Sequence, residues 1–113
     1  MHRVYIIDGQ RYMLRTAMVR TADGSREQLL LRPVNRDNVE VAYRPVPTSG
    51  HTGPHLGRCM AIVRALIGSD GHTGSVLSPQ DACLAVAMMV ALADPRVKWM
   101  DLAQILYTQL CTR

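Results

Sequence analysis

Phenylalanine is absent from this chain, and tryptophan and lysine each occur once, at Trp99 and Lys98. With aromatic residues at 4% and no patterned run of them, the chain lacks the ring-lined platform on which RNA-recognition modules stack bases. That absence argues against sequence-specific nucleic-acid reading. Long apolar stretches are missing as well. The longest covers residues 82–93, well short of the roughly 20 residues a bilayer-spanning helix needs. It reads as a buried helix, and no membrane partner is expected. The first residues contain no apolar stretch of signal-peptide length, so the expected location is cytoplasmic. Cys59, Cys83 and Cys111 are odd in number, widely spaced and without a Cys-x-x-Cys pair. They fit buried free thiols better than a disulfide framework.

What the chain does have is arginine. The formal charge is +4, and of thirteen cationic side chains all but Lys98 are arginine. A guanidinium presents a planar fork to phosphate or carboxylate, where lysine offers a point charge. Eight arginines, from Arg3 to Arg44, fall in the first part of the chain, and Arg11 and Arg15 share parity, so they project from one face of a strand. Acids at Asp8, Asp23, Glu27, Asp37 and Glu40 are interspersed, as on an ordinary solvated sheet face.

The pattern predicts a single α+β domain of 113 residues. Residues 1–44 form a sheet half, 45–53 a hinge rich in proline and glycine, and 54–113 a helical half. In the first, residues 4–7 and 10–20 flank Asp8-Gly9, the dipeptide that favours a type I′ hairpin. Residues 26–32 follow a second turn, with Pro33 ending that strand or placing it at an edge. Residues 39–43, in which Val39, Val41 and Tyr43 share parity, complete an expected four-stranded antiparallel meander. In the second half, Pro54 suits the first turn of a helix carrying Leu56, Met60, Val63 and Ile67. Ser78-Pro79-Gln80-Asp81 supplies a cap, an N1 proline and an early acid to the next. Asp94-Pro95 repeats that logic for a third helix, whose stripe is Trp99, Leu102, Leu106 and Leu110. The middle helix has no polar face from Cys83 to Ala93 and must be covered on several sides, by the sheet, its sister helices or a second copy. A homodimer or higher oligomer is therefore expected.

The most unusual feature is a repeated tetrapeptide, Gly50-His51-Thr52-Gly53 and Gly71-His72-Thr73-Gly74. Each stands in a glycine-rich connection before a helix, where free backbone N–H groups and the helix dipole favour an anion. Neither copy fits a P-loop or a dinucleotide-binding glycine pattern. His51, His55 and Cys59 lie at four-residue intervals and, with His72 or Cys83, offer zinc-ligand types. Without an anchoring Cys-x-x-Cys, the expectation is instead that His55 is exposed, Cys59 packs in the core and no metal is held. Two histidines can also share the acid and base roles of phosphodiester cleavage. The two-histidine phosphoesterases resemble this chain only in outline, since their motif is His-x-Thr or His-x-Ser on strands, and here Thr directly follows His.

The sequence thus points to a small, non-enzymatic binding or regulatory protein without cofactor. Its expected ligand is an anionic, nucleotide-like molecule held by His51, Thr52, Gly53, His72, Thr73 and Gly74 with Arg11, Arg15 and Arg58. Two alternatives stand beside it: a protein inhibitor or adaptor of the phage or mobile-element type, and a small phosphodiesterase using His51 and His72.

Overall fold

The structure, a computed structural model, describes residues 2–22, 24–44, 56–68 and 77–111. Three strands, β1 (His2–Ile7), β2 (Gln10–Thr21) and β3 (Gly24–Val34), precede three helices, α1 (Leu56–Gly68), α2 (Pro79–Ala93) and α3 (Trp99–Cys111). The class is α+β, as the sequence implies.

The sheet is antiparallel in the order β1-β2-β3. Asp8 and Gly9 have φ of 50° and 80°, the two positive values a type I′ turn requires, and the hairpin closes on the pair Ile7↔Gln10. Opposed residues share a face. Tyr12, Leu14, Leu31 and Ile7 therefore turn together into the core. Arg11, Met13 and Arg15 project from the opposite face with Val4, Ile6, Leu30 and Val34.

The expected fourth strand does not form. Val34↔Glu40 is an isolated bridge, and the Val41 amide donates to the Pro33 carbonyl at 2.9 Å. Two features account for this. Pro33 has no N–H with which to return that bond, so the ladder cannot extend back along β3. The Asn35 Oδ1 also accepts from the amides of Asp37 and Val39, and Asn38 turns with φ of 61°, fixing a tight reversal in place of a strand entry. Val39, Val41 and Tyr43 do not share a face as expected: the valines are exposed, whereas Tyr43 joins the core. Pro33 lies inside an edge strand, where a missing donor is tolerated.

Helix α2 begins as its sequence dictates. Ser78 Oγ accepts from the Asp81 amide at 3.1 Å and Pro79 is the first helical residue. Its residues from Ala82 to Val90 are buried except Leu84, which is half-buried. The cover comes from α3, β3 and α1 of the same chain. Most of the cover this helix needs is thus supplied within one chain, while Leu92 near its end stays exposed. Asp94-Pro95 does not start α3, which begins at Trp99. Asp94 instead caps the end of α2, its amide donating to the Val90 carbonyl at 2.8 Å. Its own carbonyl accepts from Val97 and its carboxylate from the Arg96 amide, so the chain makes a turn before α3. The α3 stripe holds, with Leu106 fully buried and Trp99, Leu102 and Leu110 packed against the core. Pro54 and the 45–53 hinge lie outside the described residues. Among the described residues no helix is long and apolar enough to cross a membrane.

Two glycines separate conformational strain from helix propensity. Neither Gly9 nor Gly57 has any atom within 4 Å of an added Cβ, but only Gly9 has positive φ. Gly9→Ala is expected to cost about 1 kcal/mol and Gly57→Ala to gain up to about 1 kcal/mol, read by urea denaturation. Losses of equal size at both positions would refute the assignment.

Candidate functional site

Arg58 lies in the first turn of α1 and reaches the inner face of the sheet. Its Nη1 donates to Asp8 Oδ2 at 3.0 Å and its Nη2 to the Tyr12 hydroxyl oxygen at 2.9 Å. The guanidinium carbon stands 5.9 Å from the centre of the Tyr12 ring, within cation–π range. Only 13% of the Arg58 side chain is exposed, against 68% for Asp8. The arginine is therefore held largely out of water, which strengthens its field at the surface it faces.

That surface is a pocket of about 300 Å³ lined by Gln10, Tyr12, Pro33, Tyr43, Arg44 and Arg58, with Val41 and Ala42. Its charged lining residues are both arginine. Arg58 commits two of its five N–H groups to Asp8 and Tyr12. Tyr12 is 1% exposed, and because its oxygen accepts from Arg58, its own O–H needs an acceptor. None is found among the described residues. The Gln10 amide nitrogen donates to the carbonyls of Arg11 and Val34, leaving its Oε1 as an acceptor at the pocket wall. The pocket thus offers several donors, two of them cationic, beside one acceptor.

Beneath it, burial pushes the Cys59 thiol up to about 12, against the opposing hydrogen bond with Tyr43 and the charge of Arg58. Burial also raises Tyr12, the Arg58 hydrogen bond and charge offsetting part of that, and burial raises Tyr43. At neutral pH all three keep their protons. They present hydrogen-bond donors, with neither a thiolate nucleophile nor a phenolate base.

Of the ligand-binding residues singled out from sequence, the structure describes Arg11, Arg15 and Arg58, and these three do not lie together. Arg11 and Arg15 do share a face, as expected, but it is the outer face of the sheet, whereas Arg58 is on the inner side. His51, Thr52, Gly53, His55, His72, Thr73 and Gly74 lie outside the described residues. The segments that carry the two tetrapeptides attach at opposite ends of α1, whose 13 residues separate the attachments by about 18 Å. Cys59 is core packing, as expected, and among the described residues no cluster of histidine, cysteine or carboxylate side chains could hold a metal. Sequence reasoning missed Gln10, Tyr12, Tyr43 and Arg44. The pairing of Tyr12 with Arg58 spans 46 residues, and no local signal marks it. No family model, curated protein or solved structure matches the chain.

The raised thiol sets a pH dependence. In the unfolded chain Cys59 releases its proton near its ordinary value of 9.0, whereas the folded chain holds it to about 12. The contribution is intact below pH 9 and is lost as pH climbs through that window, by up to about 1.4 kcal/mol per pH unit. Urea midpoints measured from pH 8 to 10.5 should fall more steeply for the native chain than for Cys59→Ala. Parallel slopes would show that the thiol titrates as freely folded as unfolded.

Proposed function

We propose that this is a small, non-enzymatic binding and regulatory protein whose ligand is anionic, phosphate-bearing and nucleotide-like, seated in the pocket between β2 and α1. The observation that carries the reading is the Tyr12–Arg58 pair: a buried phenol that accepts from the guanidinium and finds no acceptor for its own proton among the described residues, beside a largely desolvated arginine that commits two of its five N–H groups there. A phosphate oxygen satisfies both. Arg44 adds a second cation, and Gln10 Oε1 accepts from an amino or hydroxyl group on the same ligand. The volume suits a small molecule.

The first tetrapeptide fits this reading better than the second. Its segment, residues 45–55, leaves from Arg44 on one wall and enters α1 two residues before Arg58 on the other. His51, Thr52 and Gly53 are thus the natural source of further donors. Binding is favoured over catalysis because the phenols and thiol at the pocket remain protonated. A two-histidine hydrolysis also needs His51 and His72 to meet from opposite ends of α1.

Thermal denaturation with a panel of mono-, di- and cyclic nucleotides tests the proposal. A ligand at one hundred times its Kd stabilises by about 2.7 kcal/mol, several degrees in a chain of this size. Arg44→Gln, at an exposed position, should abolish the shift while leaving the unliganded Tm within about a degree. A flat panel at millimolar nucleotide would rule the reading out.

A further inference from the structure

The outer face of the sheet carries a second basic feature, separate from the pocket. Arg11 and Arg15 project there from β2. Arg32 stands opposite Met13 and so diagonal to both, at the edge strand where it also borders a cleft to α2. Beyond Arg11 the surface sinks into a depression of about 330 Å³ lined by Ile6, Gly9, Gln10, Arg11, Val34, Asn35 and Arg36. Its charged lining residues, Arg11 and Arg36, are both cationic. The acids near this strip are Glu40 and Asp37. Glu40 is engaged, its Oε1 accepting from Arg15 Nη2 at 2.6 Å and Nε at 3.0 Å. Asp37 is exposed beside Arg36. Arg11, Arg32 and Arg36 make no ion pair among the described residues.

We propose that this outer face binds the phosphate backbone of nucleic acid without reading its bases. Arg11, Arg15, Arg32 and Arg36 run across β2, β3 and the following turn, beside the carboxylates of Glu40 and Asp37, on a chain whose overall charge is already +4. Guanidinium forks take phosphate oxygens bidentately. Among its described side chains the face carries no aromatic ring: those on β1 and β2 are Val4, Ile6, Arg11, Met13, Arg15, Ala17 and Val19. Bases therefore find no stacking partner, and affinity comes from phosphates alone. For the same reason the face lacks the tryptophan and tyrosine anchors that seat a protein at a lipid interface, which favours nucleic acid over an anionic membrane. The inference does not depend on the nucleotide pocket, because β2 sends Tyr12 and Arg11 to opposite faces.

The salt dependence of binding to a fluorescent 20-base-pair duplex, to a single strand of equal length and to phosphatidylserine vesicles tests it. Arg11, Arg32 and Arg36, without an ion pair among the described residues, predict a slope of log K against log salt of about −2.7 for duplex and about −2 for single strand, with sequence making no difference. Arg11→Gln/Arg36→Gln should reduce the duplex slope to about −0.9 and weaken binding at low salt at least tenfold. Glu40→Gln should act in the opposite direction, releasing Arg15 and steepening the slope to about −3.6, a gain that misfolding cannot imitate. Tyr12→Phe, which alters the pocket, should leave the slope unchanged. Absence of binding at about 20 mM salt, a slope indifferent to the arginine and glutamate changes, or capture by vesicles but not by nucleic acid would each overturn the proposal.

Discussion

Everything in this molecule is arranged around one demand, that α2 be shielded from water on nearly all sides. From Ala82 to Val90 the helix presents small and medium apolar side chains with no polar stripe, so no orientation leaves a solvated face. Small residues such as Ala82, Ala85 and Ala87 let neighbours approach closely, and β3, α1 and α3 supply them. The inner face of the sheet is apolar because it must meet this helix. Loss of a covering side chain such as Leu106 would open a cavity at the centre, the kind of defect that costs roughly 2–5 kcal/mol.

The same arrangement explains why β2 matters so much. It is the middle strand, buried on one side and basic on the other, and its alternation sorts the chemistry of the protein into two compartments. Even-numbered Tyr12 meets Arg58 in a pocket withdrawn from solvent. Odd-numbered Arg11 and Arg15 remain in the aqueous field outside. The Arg15–Glu40 pair runs from β2 to the segment beyond the far edge of β3, so it must cross that strand on the outer face. There Leu30 and Val34 are 7% and 1% exposed although they turn away from the core. The aliphatic stem of an arginine covers apolar surface while its head stays paired.

Much of the fold was legible in the sequence, and what was missed failed for identifiable reasons. The Asp8-Gly9 hairpin, the Ser78-Pro79 helix start and the α3 stripe depend on chemistry within four or five residues, and each appears as read. Val39–Tyr43 looked like a strand because its alternation is right, but alternation says nothing of whether the neighbouring strand has donors to offer. Pro33 withholds one. Asp94-Pro95 looked like a second cap and proline start, yet the same pair also terminates α2, and the termination prevailed. The site was the least legible part. Arg58 was picked out for its charge, but its partners Tyr12 and Asp8 come from the other end of the chain. The parity argument for Arg11 and Arg15 was sound and put them on a different face.

Cys59 lies fully buried next to the pocket floor with its thiol held protonated, and Cys83 is as deeply placed on α2. Neither sulfur can meet an alkylating reagent or an oxidant while the chain stays closed. The rate at which these two thiols are labelled is therefore a clock for how often the core opens. Because one sits on α1 and the other on α2, comparing them would separate lifting of a single helix from collapse of the whole fold.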